Sequence, residues 1–219
     1  GLTDYDEIFT HGTDPLLPDT DEDGLNDGLE ITIGINPLAI DSDSDGLNDT
    51  WEYTRISQGY NYSPGNNDTD GDGVQDGDED LDTDGLTNLE EINTYGTNPM
   101  DEDSDGDTLW DGDEVKPWEI DKDGINNQYN YPSNPNNLDS DGDGLSDYEE
   151  VTPSNDTYDS RTDPEDSDTD GDGLSDYDEI RWYWNITGDN NTARSYYDEQ
   201  GWNTSDPREE NTDGDTWDA

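Results

Sequence analysis

Asp19-Thr-Asp21-Glu-Asp23-Gly24-Leu25-Asn-Asp27-Gly-Leu-Glu30 is the stretch whose reading decides the fold. Acids stand at positions 1, 3, 5, 9 and 12 of twelve, glycine at 6 and an apolar residue at 7. The same register returns at Asp41, Asp43, Asp45, Asp49 and Glu52; at Asp68, Asp70, Asp72, Asp76 and Glu79; and at Asp80, Asp82, Asp84, Asn88 and Glu91. It returns again at Asp103, Asp105, Asp107, Asp111 and Glu114; at Asp139, Asp141, Asp143, Asp147 and Glu150; and at Asp168, Asp170, Asp172, Asp176 and Glu179. A single acidic run is usually a solvated surface. Such a run does not keep glycine, an apolar residue and glutamate at fixed offsets through copy after copy.

Calcium explains the spacing. It takes six to eight oxygens at about 2.3–2.6 Å, and a tight loop offers them at positions 1, 3, 5, 7 (backbone), 9 and 12, with glycine at 6 where the chain turns sharply. On this reading the glutamate at 12 closes its own loop bidentately, and position 9 binds directly or through a water. Two further stretches are weaker. Asp121 and Asp123 lie in a degenerate loop over 119–130 that has Lys122 inside it and Asn130 in place of the closing glutamate; Asn211, Asp213 and Asp215 open an incomplete loop over 211–219. At the other end, Gly1 to Ile8 matches positions 6 to 13, so the sequence begins in mid-loop with Asp4 and Glu7 at positions 9 and 12.

A proline stands four residues before the loop start at Pro15, Pro37, Pro64, Pro99, Pro135, Pro164 and Pro207. Each follows Asp, Asn or Ser, a pairing that favours turn initiation, and the fixed proline φ limits the freedom of the metal-free chain.

These residues resemble thrombospondin type 3 repeats, in particular the cysteine-free prokaryotic form with its T-D/N-P lead-in, seen at Thr13-Asp14-Pro15, Thr97-Asn98-Pro99 and Thr162-Asp163-Pro164. The resemblance implies calcium-loaded loops wrapped by little regular structure, as in extracellular stalks, matrix proteins and surface-anchored proteins. Animal members carry disulfides between repeats. This chain has no cysteine, so the resemblance leaves calcium as its only staple. Thr108 also departs from the pattern by replacing glycine at position 6.

Composition agrees from another direction. With 24% hydrophobic residues and one Phe in 219 residues, the chain cannot build a conventional core. Its formal net charge of −56 expands a metal-free chain by self-repulsion, so ion binding must also be folding energy. Eight Ca²⁺ ions would leave about −40 of that charge, which points to further ions or a high-calcium medium, and opposes nucleic acid and anionic membranes as partners. No run approaches the roughly 20 apolar residues of a membrane span.

The expected fold is mostly irregular: tandem EF-hand-like calcium loops with short helical turns between positions 7 and 13, an elongated repeat array over 1–219 and little or no sheet. The loops run over 19–30, 41–52, 68–79, 80–91, 103–114, 139–150 and 168–179, and the contiguous pair at 68 and 80 should share carboxylates or pack back to back. Insertions over 53–64, 151–163 and 181–206 carry N-x-S/T sequons at Asn61, Asn155, Asn185, Asn190 and Asn203, with others at Asn48 and Asn67. Ser or Thr at loop position 2, as in Thr20, Ser42 and Ser140, gives a weak hint of O-glycans. The 181–206 insertion concentrates Trp182, Tyr183, Trp184, Tyr196, Tyr197 and Trp202, which suits a local core, a subunit interface or a carbohydrate platform.

Function narrows accordingly. One histidine, His11, no cysteine and no phosphate-cradling loop with lysine argue against catalysis. The expectation is a calcium-rigidified extracellular or cell-surface rod, stalk or filament that binds about eight or more Ca²⁺. It is either polymerised head to tail through its split end loops or a window of a longer repetitive chain. The alternative is an adhesin or other glycan- or protein-binding module that grips through the aromatic insertion.

Overall fold

A computed structural model describes residues 1–116, 131–152, 161–171 and 173–178. Each repeat opens on its proline turn, with Leu17 N–H donating to the Asp14 carbonyl at 2.9 Å and Ala39 N–H to Asn36 at 3.1 Å. The acidic loop follows. Its last third winds into helix from position 9, because the residue at 8 is extended and can cap. The Asn48 side chain accepts from Trp51 N–H, and Thr87 with Glu90 and Ser146 with Glu149 form reciprocal capping boxes.

The helices are α1 (Asp4–Asp6), α2 (Asp27–Ile33), α3 (Asp49–Gln58), α4 (Asn88–Glu90), α5 (Asp111–Val115) and α6 (Asp147–Val151). A 3₁₀ turn at Asp76–Asp78 takes the same place in its repeat, and π turns follow α1 and α4. Helices this short are marginal alone, so packing must hold them. No strand occurs among the described residues, as expected from the sequence.

Position 7 supplies the apolar core. Leu25, Leu47, Leu86, Leu109 and Leu145 are buried, whereas Val74 and Leu174 remain 41% and 49% exposed. At position 13 only Val151 is buried among the described residues. Each buried leucine contributes roughly 1.5–3 kcal/mol, too little for any repeat by itself.

The chain divides into two compact units, Gly1–Leu81 with Thr87–Thr94, and Asp82–Leu86 with Tyr95–Ala219. In the first, position 10 of one repeat presses on position 5 of the repeat before it. Thr50 Oγ1 donates to the Asp23 carbonyl at 2.8 Å, and a Cβ on Gly77 would collide with the Asp45 carbonyl oxygen. Trp51 meets Tyr62 edge to face at 5.2 Å, under the Arg55 guanidinium. In the second unit a Cβ on Gly112 would likewise collide with the Asp84 carbonyl oxygen, and Tyr177 lies over Gly144. There the repeat at 103 packs directly on the repeat at 139, with Tyr148 N–H donating to Asp107 Oδ2 at 2.7 Å. The degenerate loop expected at 119 lies outside the described residues.

The contiguous repeats at 68 and 80 join through backbone and amide: Asn88 N–H donates to the Glu79 carbonyl at 2.8 Å and Asn88 Nδ2 to the Asp76 carbonyl at 2.7 Å. Position 6 is left-handed throughout, with φ of +106° at Gly24, +98° at Gly46 and +90° at Thr108. A β-branched residue there costs roughly 1–2 kcal/mol, against about 0.5–1 kcal/mol for the extra chain entropy of glycine. Thr108→Gly is therefore expected to stabilise the calcium-loaded protein by up to about 1 kcal/mol, and Gly46→Ala, whose methyl would meet Leu89 at 2.8 Å, to destabilise it. Thermal melts in saturating calcium check both signs.

Candidate metal centres

Within a loop, backbone N–H groups hold the first three carboxylates in place. Glu22 N–H and Gly24 N–H donate to the two oxygens of Asp19 at 2.8 and 3.0 Å. Asp23 N–H donates to Asp21 Oδ1 at 3.2 Å, and Leu25 N–H to Asp23 Oδ1 at 2.7 Å. Asp41, Asp43 and Asp45 repeat the arrangement, as do Asp103, Asp105 and Asp107, and Asp139, Asp141 and Asp143. In these four loops one oxygen of the acid at position 3 is left over and buried. Asp21, Asp43, Asp105 and Asp141 each keep an Oδ2 without a hydrogen-bond partner. Ligand oxygens of Asp19, Asp21 and Asp23 lie within 4.8 Å of one another, and so do those of Asp41, Asp43 and Asp45 and of Asp68, Asp70 and Asp72.

A second kind of cluster was not foreseen. Asp23 and Glu30 of the first repeat converge with Asp49 of the next, and Asp45 and Glu52 converge with Asp76 of the repeat that follows, each set within 4.8 Å. Position 12 thus meets position 5 of its own loop, and position 9 reaches back to the loop before it. In these two clusters position 9 stands with the acids of the loop before it. The cause is the stacking described above, which sets the start of each helix against the previous acidic loop. Both oxygens of Glu30 and of Glu52 are buried and unpartnered, and so are Asp45 Oδ2 and Asp76 Oδ2.

Position 9 is oriented by position 2, which sequence reasoning had read only as an O-glycan hint. Ser42 N–H donates to Asp49 Oδ1 at 2.9 Å and Ser42 Oγ to Asp49 Oδ2 at 2.6 Å, while Asn36 N–H, just before the proline, donates to Ser42 Oγ. Thr20 serves Asp27, Ser104 serves Asp111, Ser140 serves Asp147 and Thr169 serves Asp176 in the same way. Position 4 was missed as well: it is left-handed at Glu22, Ser44 and Thr83, and at Gly71, Gly106, Gly142 and Gly171. Those four glycines were the available signal.

Burial dominates the electrostatics, and neighbouring acids add to it. Desolvation first, then Asp21 and Asp23, push the Glu30 carboxyl up to about 8; desolvation, then Asp43 and Asp45, push Glu52 up to about 9. Glu79, Asp84, Asp107 and Asp176 rise to about 7, and Asp45, Asp49, Asp111 and Asp147 to about 6, with burial the largest cause each time. Burial also lifts Glu114 to about 10 and Glu150 to about 9, against hydroxyl donors from Ser133 and Thr162.

The remaining expected ligands fall as follows. Asn88 and Glu91 are buried, Asp80 and Asp82 are half-buried, and Asp168 and Asp170 sit in the last described loop. Asp4 and Glu7 lie in and just after α1. Asp121, Asp123, Asp172, Glu179, Asn211, Asp213 and Asp215 lie outside the described residues, as do the sequons at Asn155, Asn185, Asn190 and Asn203 and the aromatic insertion.

The sequence pattern of the bacterial TSP3 repeat matches residues 1–18, 19–39, 68–82, 80–102, 139–152 and 168–181. The chain carries bacterial TSP3 repeats. TSP3 repeats are calcium-binding repeats. Comparison with curated proteins and with solved structures finds no match. The matched segments leave out 41–52 and 103–114, yet those loops share the hydrogen-bond plan of their TSP3 neighbours. Buried carboxylate oxygens without donors suit a hard divalent cation, which takes oxygen ligands and supplies the charge that this interior otherwise lacks.

Two outcomes are expected. Ser42→Ala removes a donor from the fully buried Asp49 and should cost about 1–3 kcal/mol in the calcium-loaded protein, measured by urea unfolding. Protonation of the raised carboxyls stabilises the metal-free fold below their ordinary range, and that contribution is lost as pH rises through about 8 and 9 at Glu30 and Glu52. Calcium requires the ionised form, so adding it at pH 7 should expel protons, and fewer at pH 10, as read in a pH-stat.

Proposed function

We propose that this chain is a non-enzymatic structural protein whose repeats calcium rigidifies into an extracellular or cell-surface rod, stalk or filament. Observations at Glu30 and Glu52 carry the reading: fully buried glutamates with both oxygens unpartnered, facing further carboxylates, belong to an interior that is complete only with a cation. Folding and ion binding are then one event, as in other small metal-dependent domains. Fewer carboxylates would suffice to buffer calcium; here the ligands of one repeat are drawn from the next, so each ion fixes the geometry between repeats.

Placement outside the cell is supported by the loops' demand for calcium, which the resting cytosol does not meet for weak sites. Among the described sequons Asn61 is exposed, which supports its use as a glycan acceptor in a suitable secretory pathway. The raised carboxyls do not argue for catalysis, because their pKa values come from burial in a repeating lattice of ligands rather than from one concave site.

Calcium titration of the metal-free chain, with reversal by EDTA, tests the reading through circular dichroism, hydrodynamic radius and electron microscopy on one sample. The expected result is compaction with a gain of helical signal, reversed by chelation. A chain whose radius does not respond to millimolar calcium would overturn it, and selective binding in a glycan array would favour the adhesin.

A further inference from the structure

Three N-x-S/T sequons fall among the described residues, and they differ in how much of each triplet the fold already uses. Asn48-Asp49-Thr50 occupies positions 8 to 10 of the loop at 41. Asn48 Oδ1 caps α3 by accepting from Trp51 N–H at 2.7 Å, and the Asn48 carbonyl accepts from Glu52 N–H at 3.2 Å. Asp49 is fully buried, and Thr50 Oγ1 donates to the Asp23 carbonyl at 2.8 Å. Asn67-Asp68-Thr69 runs into positions 1 and 2 of the next loop. Its Asn67 carbonyl accepts from Asp76 N–H at 3.1 Å, while Thr69 donates through N–H to Asp76 Oδ1 at 2.8 Å and through Oγ1 to the Asn66 carbonyl at 3.2 Å. In both triplets the hydroxyl residue has a task in its repeat, which accounts for Thr50 and Thr69 without any modification.

Asn61-Tyr62-Ser63 is different. It lies between Gly59, the C-cap of α3, and the turn at Pro64, outside every acidic loop. Asn61 is exposed, and neither its side chain nor the Ser63 hydroxyl makes a hydrogen bond among the described residues. The triplet is anchored through its middle residue: Tyr62 is 6% exposed, packs on Trp51 and accepts from Asn88 Nδ2 at 3.1 Å. Pro64 biases Ser63 toward extended backbone. Here an asparagine and a hydroxyl stand at sequon spacing with no part in holding the fold.

We infer that Asn61 carries an N-linked glycan, and that the calcium-loaded fold withholds Asn48 and Asn67 from the same modification. In the transfer, Asn61 Nδ2 bonds to the anomeric carbon of an oligosaccharide carried on a polyprenyl phosphate. The bond from that carbon to the phosphate oxygen breaks, the lipid phosphate leaves with the electron pair, and Nδ2 gives up one proton to a base of the transferase. The enzyme must engage the hydroxyl residue together with the asparagine. To do so at Asn48 it would have to unwind the start of α3 and draw Thr50 off the Asp23 carbonyl; at Asn67 it would have to free Thr69 from Asp76. At Asn61 the two side chains it engages have no hydrogen bonds to lose. This inference rests on the calcium-binding reading above for the state in which the sequons are presented, and deepens it by making calcium the selector among them.

The test incubates the full chain with an oligosaccharyltransferase of plain N-x-S/T specificity and its lipid-linked oligosaccharide, and maps the sites by glycopeptide mass spectrometry. In calcium, Asn61 should be modified, with Asn48 and Asn67 at least roughly tenfold less so because their hydrogen bonds must open first. With EGTA, which leaves magnesium for the transferase, Asn48 and Asn67 should approach the level of Asn61. Ser63→Ala should abolish transfer to Asn61. Thermal melts in calcium separate spare from structural residues: Asn61→Gln should leave the midpoint unchanged, whereas Asn48→Gln, which disturbs the cap of α3, should lower it. Hydrodynamic radius is followed on the same samples, and a radius that ignores calcium sinks the calcium reading together with the selection it implies. On a chain that does compact, an unmodified Asn61, or Asn48 or Asn67 modified to the same extent in calcium, overturns this inference alone, as does a melt that Asn61→Gln lowers as much as Asn48→Gln.

Discussion

At the junction between the repeats at 41 and 68, Asp45, Glu52 and Asp76 lie almost wholly out of water with ligand oxygens within 4.8 Å of one another. Like charges at that spacing and burial cannot all stay ionised without a counter-charge. The rest of the architecture answers this constraint. Backbone N–H groups take oxygens of the acids at positions 1, 3 and 5, Ser and Thr at position 2 hold position 9, and other buried carboxylate oxygens are left without a donor. Burial of a charged cluster is normally a defect unless a counter-charge accompanies it.

The apolar part of the interior is small and regularly spaced. In the repeats at 41 and 139 the leucine and the closing glutamate are equally inaccessible: Leu47 and Glu52, Leu145 and Glu150. Such a core cannot fold a lone repeat, and it gives little latitude in how neighbours stack. Gly77 and Gly112 show how tight the contact is, since neither position has room for a Cβ against the previous loop's carbonyl. Where a neighbour does not cover a loop, as around Val74, the apolar residue stays exposed and the leucine's role lapses.

Much of this was legible in the sequence because the chemistry is local. A ligand every second residue, a left-handed turn at position 6 and a helix start at position 9 all lie within twelve residues, so Asp19, Asp21 and Asp23 could be grouped from spacing alone. The role of Ser42 was not legible, because a hydroxyl at position 2 looks like any surface serine until the chain folds back and brings position 9 onto it.

By itself the sequence determined the loops, their acidic ligands, the sparse core and the near absence of regular structure, through short-range sterics and composition. Only the tertiary structure decided that position 9 lies against the preceding loop, that the repeat at 103 packs directly on the one at 139, and which glutamates keep both oxygens free. The physical reason is that periodicity specifies what each repeat can offer, whereas stacking specifies which neighbour receives it. A stacking register depends on contacts such as Thr50 on Asp23 and Tyr148 on Asp107, each between residues 27 or more apart in the chain.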